Sequence, residues 1–241
     1  MKRVCDTVVD VVSQCMLSKH VQKKNAMYCR NLLLKMNVKL GGMNCVVDAS
    51  PATSFLFSRP AMVFGCDVSH GAPGSNQFSV AALVGSMDAY PYRFEPEVRA
   101  QESRKEVVTE LKIMARALLI RFYQSTNGKK PERILFYRDG VGEGQFEKVL
   151  QFELTALREA CQELEDGYTP LITFVVVQKR HHARFFVSNR RDGDRSGNVP
   201  PGTVIDTDVV HPRNFDFYLF SHSGIQGLSV PSHPPSPTSS S

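Results

Sequence analysis

The sequence lacks the features of a membrane-spanning or secreted protein. No apolar run is long enough to cross a bilayer, and the first residues, MKRVCD, contain no apolar core of a secretory signal peptide. The six cysteines form no CxxC pair and no spacing typical of a disulfide framework. We therefore expect reduced thiols and a protein of the cytoplasm or nucleus that has no membrane partner.

The sequence also has little net charge beyond its first quarter. Residues 1–60 contain nine Lys or Arg residues and three acidic residues, whereas residues 61–241 contain 20 basic and 21 acidic residues. A solvated basic face would explain this segment, and so would an anion-binding site with phosphate as the anion.

The spacing of apolar residues predicts two structural regions. Two helices are expected first, at residues 4–17 and 22–36. A meander of three strands follows, and then a helix, a strand, a helix and a strand. These elements are predicted at residues 61–68, 78–85, 92–99, 107–122, 133–138, 146–164 and 171–178. Two short strands are expected at 203–208 and 215–220, and the order as a whole predicts an α/β fold with a mixed sheet flanked by helices.

Three acidic residues are candidates for a metal site. Asp67 and Asp139 each come at the end of a predicted strand, and Glu106 lies at the entry of the long helix. If they converge, their repulsion requires a cation, and oxygen ligands favour Mg²⁺ or Mn²⁺. Such a site supports two-metal hydrolysis of phosphodiesters. Alternatively, the aspartates cap turns and Glu106 favours the helix dipole.

Five motifs, in the same order along the chain, are similar to those of the PIWI domain of eukaryotic Argonaute proteins. They are GCDVSH at 65–70, ALVGSMD at 82–88, ILFYRDGVGEGQF at 134–146, VQKRHHAR at 177–184 and FDFYLFSHSGIQG at 215–227. The resemblance extends from about Lys2 to His233. It implies an RNase H-like fold for residues 61–233, preceded by the end of a MID-like α/β domain at 1–47 and a connection at 48–60. Residues 234–241 have no counterpart and are expected to be a disordered tail.

The resemblance also implies roles for individual residues. Asp67, Glu106 and Asp139 match catalytic carboxylates, with Asp67 and Asp139 as ligands of Mg²⁺ or Mn²⁺, and Glu106 matches a glutamate that swings into the site. Four residues match ligands of the guide 5′-phosphate, namely Lys2, Gln14, Lys35 and Lys39. Four more match contacts to the RNA backbone, namely Lys179, Arg180, Arg184 and His222, although an exposed basic loop would also explain this segment.

The sequence departs from the family pattern at its ends. Argonautes have further N-terminal domains and a C-terminal segment with a fourth catalytic residue, so we expect a chain truncated at both ends and an apolar sheet face left exposed. By motif position, His233 is not the missing catalytic histidine. Three hypotheses follow: a guide-dependent endoribonuclease, an RNA-binding module without catalysis, and a fragment without independent function. The expected partners are a small guide RNA, a complementary target RNA and proteins of a silencing complex.

Overall fold

The computed structural model describes residues 1–23, 25–48, 50–72, 74–75, 77–212, 215–224 and 227–236. They divide into two units, Met1–Thr53 and Ser54–Ser241. In the described part of the chain, no helix is long and apolar enough to span a membrane.

The first unit is helical. Helix α1 spans Lys2–Val4 and continues as a π-helical turn at Cys5–Val9; α2 spans Ser18–Lys23, α3 spans Ala26–Lys39, and a 3₁₀ turn follows at Pro51–Thr53. The predicted helix at 4–17 is wrong beyond Val9. Asp10 adopts a left-handed conformation with φ 53° and ends the helix there. A left-handed residue cannot continue a right-handed helix, and the neighbouring β-branched valines gain little from one.

Helix α3 corresponds to the predicted helix at 22–36 but begins and ends later. Asn25 caps its first turn, because its side-chain oxygen accepts the backbone N–H of Tyr28 at 3.0 Å. An Asn cap of this kind marks the residue at which a helix begins.

The second unit is built on one mixed sheet. After a short helix α4 (Ser54–Phe57), its main elements are β1 (Ala61–Ser69), β2 (Ser79–Ser86), β3 (Phe94–Gln101), α5 (Leu111–Ser125), β4 (Arg133–Asp139), α6 (Phe146–Leu164) and β5 (Leu171–Val177). The predicted order of three strands, helix, strand, helix and strand is confirmed. Only the helix predicted from residue 107 begins later, at Leu111.

The strands are ordered β3-β2-β1-β4-β5 in the sheet. Strands β1, β2 and β3 form an antiparallel meander, whereas β4 runs parallel to β1 and β5 runs parallel to β4. The unit β4-α6-β5 is therefore a βαβ crossover, which brings the carboxyl ends of β1 and β4 to the same edge of the sheet.

One face of the sheet forms the hydrophobic core with α5 and α6. Alternate side chains of β1 and β4 are buried there, including Phe64 and Phe136, against Leu118 of α5 and Leu157 of α6. Apolar side chains on the opposite face are exposed; they include Val80, Val98, Tyr137 and Leu171.

In the described residues, four short strands follow the main sheet. Strands β6 (Val204–Ile205) and β8 (Tyr218–Leu219) pair with each other, and so do β7 (Phe215–Asp216) and β9 (Pro235–Ser236). The strand predicted at 215–220 is thus two strands in two small sheets. Strand β9 lies within the segment 234–241 that was expected to be disordered, and residues 237–241 lie outside the described residues.

Candidate functional site

Two aspartates meet at the edge of the sheet. The parallel register pairs Cys66 of β1 with Arg138 of β4, so that Asp67 and Asp139 follow at equivalent positions. Both line one cleft of about 670 Å³. The sequence placed Asp67 at the end of its strand, but β1 continues to Ser69 and Asp67 pairs with Ala82 of β2.

A glycine follows Asp139 directly at a place where the chain has little room. Gly140 has φ +86°, a left-handed conformation that L side chains rarely adopt. A Cβ atom at this position would lie 3.3 Å from Oδ1 of Asp67. The turn after β4 therefore passes close to the Asp67 carboxylate, and glycine permits this close approach.

Glu106 lines the same cleft. It comes five residues before α5, on the segment that joins β3 to that helix, rather than at the helix entry. Its Oε2 lies 2.9 Å from Nε2 of His70, and its Oε1 accepts a hydrogen bond from Nη2 of Arg138 at 2.9 Å. Both carboxylate oxygens of Glu106 thus contact nitrogen-bearing side chains.

The segment that bears Glu106 is held by hydrogen bonds to side chains of β2 and β3. Gln101 donates to the carbonyl oxygens of Lys105 and Val107, at 2.5 and 3.2 Å, and accepts the N–H of Thr109 at 3.2 Å. Ser79 of β2 accepts the N–H of Arg104 at 2.9 Å. In this conformation the segment is therefore tied to β2 and β3; that Glu106 swings into the site stays a prediction.

Beneath the cleft lies a buried ion pair. Arg138 and Glu153 are both 0% exposed, and Nε of Arg138 lies 3.1 Å from Oε2 of Glu153. Burial raises the pKa of the Glu153 carboxyl, and the neighbouring guanidinium opposes that rise. Burial also acts to lower the pKa of Arg138, but attraction to Glu153 and Glu106 outweighs it and keeps the arginine charged.

Two basic residues reach the cleft from the segment after β5. Lys179 and Arg180 line it, and Nζ of Lys179 lies 2.6 Å from Oδ2 of Asp139. Two other residues predicted to contact RNA form hydrogen bonds within their own segments. Nη1 of Arg184 donates to the carbonyl oxygens of His181 and Ala183, and Nδ1 of His222 lies 3.1 Å from Oγ of Ser221.

The donor set of the cleft suits a hard divalent cation, because the side chains of Asp67, Glu106 and Asp139 offer carboxylate oxygens. Among the residues that the structure describes, no three His, Cys, Asp or Glu side chains form a cluster able to hold a metal ion. Glu106 and Asp139 are instead paired with Arg138 and Lys179. Binding a metal here would exchange such pairs for metal contacts.

Comparison with known proteins identifies the family. Residues 1–234 match the Piwi domain. The chain belongs to the Piwi domain family. It is 50% identical to Protein argonaute 12 of Oryza sativa subsp. japonica over 97% of its own length, but it spans only 24% of that protein.

Solved structures of Argonautes share this Piwi fold. The Kluyveromyces polysporus Argonaute with a guide RNA matches with a TM-score of 0.85 and 29% identity, over 98% of this chain and 28% of that one. The C-terminal lobe of a budding yeast Argonaute matches with a TM-score of 0.82 and 30% identity, over 95% of this chain and 48% of that one. The predicted relationship to Argonaute proteins and the RNase H-like mixed sheet are thereby confirmed.

The residues expected to bind a guide 5′-phosphate lie in the first unit of this Piwi chain. Lys35 and Lys39 are one turn apart on α3, and Nζ of Lys39 donates to the carbonyl oxygen of Ser13 at 2.6 Å, next to Gln14. Gln14 donates to the carbonyl oxygen of Cys15 at 2.9 Å. In the described residues, no hydrogen bond or ion pair joins any two of the four side chains of Lys2, Gln14, Lys35 and Lys39. Their role as phosphate ligands stays a prediction.

His233 is engaged elsewhere in the Piwi chain. Its Nε2 lies 2.9 Å from Oδ2 of Asp216, and its ring stacks on Tyr218 with centroids 4.2 Å apart. That His233 is not the fourth catalytic residue stays a prediction.

Sequence reasoning assigned no role to His70, Arg138 or Glu153. His70 belongs to the GCDVSH motif, and its position three residues after Asp67 could have indicated that it lies near the carboxylates. Arg138 occupies the same face of β4 as the buried Ile134 and Phe136, which indicates a buried charge with a partner. Glu153 was harder to single out, because α6 contains several acidic residues.

Proposed function

We propose that this chain binds RNA at the cleft beside β1 and β4, as the Piwi domain of a guide-dependent RNA-silencing protein. One observation supports this most: Asp67 and Asp139 line the same cleft as Lys179 and Arg180. Basic side chains attract phosphates, and carboxylates bind the divalent cations that accompany phosphodiester chemistry. The related Kluyveromyces polysporus Argonaute was solved with a guide RNA.

The proposal extends to cleavage of a target RNA paired with the guide. Asp67, Glu106 and Asp139 would be the catalytic residues, and Asp67 and Asp139 would hold Mg²⁺ or Mn²⁺. When bound, such ions activate a water molecule and stabilise the leaving oxygen. The chain's part is to present these carboxylates from neighbouring strands.

The guide would be bound at two places. Lys2, Gln14, Lys35 and Lys39 of the first unit would hold its 5′-phosphate. Basic residues after β5 would contact its backbone, with His222 further along the chain. Such contacts give affinity without sequence preference. The sequence preference would come from base pairing between guide and target. Proteins of a silencing complex are further expected partners.

A second candidate function is RNA binding without cleavage. Glu106 contacts Arg138 and His70, and Asp139 contacts Lys179, so two of the three carboxylates are ion-paired in this conformation. If these pairs persist when RNA is bound, the cleft would hold RNA but no catalytic metal.

One assay separates these functions. The chain is incubated with a 5′-phosphorylated guide and a labelled complementary RNA in Mg²⁺ or Mn²⁺. Cleavage at one position that is lost in Asp139→Asn, but kept in the exposed control Asp166→Asn, supports the nuclease. Salt-sensitive binding without cleavage supports the binding module. Absence of both binding and cleavage from a folded chain contradicts both and leaves a fragment without independent function.

A further inference from the structure

The guanidinium group of Arg138 contacts both catalytic candidates that flank it. Its Nη2 donates to Oε1 and to the backbone oxygen of Glu106, at 2.9 and 2.7 Å. Its Nη1 donates to the backbone oxygen of Asp139. One fully buried side chain thus links the segment that bears Glu106 to the end of β4, from the core side of the sheet.

Glu153 holds that guanidinium in place and contacts the same segment a second time. Its Oε1 and Oε2 accept from Nε of Arg138, at 3.3 and 3.1 Å. Oε1 also accepts the backbone N–H of Val108 at 3.0 Å. Helix α6 is thereby connected to the Glu106 segment both directly and through Arg138.

Stability alone is a weak reason for such a pair. The desolvation cost of burying two charges offsets much of their attraction, and apolar residues of similar volume often serve the fold as well. The arrangement does, however, fix the directions in which the guanidinium donates its hydrogen bonds. A guanidinium carries its N–H donors in a rigid planar arrangement. Here Nε donates to Glu153, Nη2 to Glu106 and Nη1 to Asp139.

We infer that Arg138 and Glu153 are positioning residues for the cation-binding cleft: their buried ion pair fixes Glu106 and the end of β4 relative to each other. The inference rests on the proposed function, because it concerns carboxylates proposed to bind a metal. Neither residue lines the cleft, so neither would touch the metal or the RNA. Partners that hold metal-ligating carboxylates typically change metal affinity about 10- to 100-fold when replaced.

The test uses a double variant that removes both buried charges. In Arg138→Met/Glu153→Gln the volumes are similar, and the Gln oxygen still accepts the N–H of Val108, so the fold should persist. The matched control is Arg133→Met, at the other end of the same strand, where the guanidinium contacts Phe55 and Ser58. Thermal unfolding, Mn²⁺ binding by calorimetry and amide hydrogen exchange of residues 102–110 are measured for each.

We expect the double variant to bind Mn²⁺ about tenfold more weakly or worse, and to exchange amide hydrogens faster in residues 102–110. The control should match the wild type in both. A folded double variant with wild-type affinity and exchange overturns the inference. If the double variant does not fold, Arg138→Lys keeps the charge but cannot reach all three partners, and unchanged Mn²⁺ affinity in that variant overturns it too.

Failure of the proposed function gives a different result. If the wild type binds no Mn²⁺ at all, the metal proposal fails, but hydrogen exchange still tests the positioning. Faster exchange in residues 102–110 of the double variant would then support the structural link, and unchanged exchange would contradict it.

Discussion

The ammonium group of Lys179 lies 2.6 Å from Oδ2 of Asp139, so a residue proposed to bind RNA is paired with a residue proposed to bind metal. The two side chains are 64% and 36% exposed, and exposed pairs are worth about 0–1 kcal/mol. An RNA phosphate that attracts Lys179 would release Asp139 for a cation. Such a coupling acts equally in both directions.

Replacing Lys179 by methionine should therefore strengthen cation binding and weaken RNA binding. The variant removes a competitor for Asp139, and a pair worth up to about 1 kcal/mol gives an increase of up to about fivefold in Mn²⁺ affinity without RNA. Calorimetry with Mn²⁺ measures this effect. Arg184→Met is the control, because Arg184 contacts backbone carbonyls and not Asp139. Unchanged or weaker Mn²⁺ binding in Lys179→Met would contradict the coupling.

The basic residues of α3 predict which chemical group the chain prefers at the 5′ end of a guide RNA. If Lys35 and Lys39 hold a 5′-phosphate, the wild type should prefer 5′-phosphorylated RNA to the same RNA with a 5′-hydroxyl. Lys35→Gln and Lys39→Gln should reduce that preference, and each lost phosphate contact should lower the salt dependence of binding by about 0.7 in the log–log slope. Titrations at several salt concentrations measure both quantities. The exposed Lys129→Gln should keep the preference; an equal loss there would point to general electrostatics.

The order of the main elements could be predicted because hydrophobic periodicity changes where strands give way to helices. The start of α5 could not. Val107 and Val108 fit the helical spacing, but the Val107 oxygen accepts from Gln101 and the Val108 N–H is bound by Glu153. Such side-chain partners from outside the helix override the local pattern, and periodicity does not reveal them.

The candidate site was partly predictable for a related reason. Asp67 and Asp139 follow paired positions on parallel neighbouring strands, and strand order alone indicates that they meet. The contact between Arg138 and Glu153 joins two elements and depends on the rotation of α6. The sequence shows only that a charged residue faces the core at Arg138.

The cysteines should differ sharply in reactivity. Burial raises the pKa of the Cys161 thiol to about 12, and burial with the nearby Glu153 carboxylate also raises the pKa of Cys66. Because the thiolate is the reactive form, both should resist iodoacetamide at pH 8 in the folded protein. Exposed Cys15, Cys29 and Cys45 should be alkylated.

Mass spectrometry of peptides from the native and the denatured protein measures this. All six cysteines should react after denaturation. Rapid native labelling of Cys66, which adjoins Asp67, would show that the core beneath the cleft opens.

Two glycine substitutions separate backbone strain from an effect on the cleft. Gly140 and Gly167 both have a left-handed backbone, with φ +86° and +79°, but only at Gly140 would a Cβ lie near another group, Oδ1 of Asp67 at 3.3 Å. Changing either to alanine should cost about 1–2 kcal/mol. That cost should lower the midpoint of thermal unfolding by about 2–4 °C per kcal/mol.

Only Gly140→Ala should also affect the cleft, because the new methyl group must displace the Asp67 carboxylate or the turn after β4. We expect weaker Mn²⁺ binding in Gly140→Ala and wild-type binding in Gly167→Ala, each measured by calorimetry beside the unfolding curve. If both variants lose stability equally and both keep wild-type Mn²⁺ binding, the close approach of this turn to the Asp67 carboxylate does not matter for the metal, and the prediction is wrong.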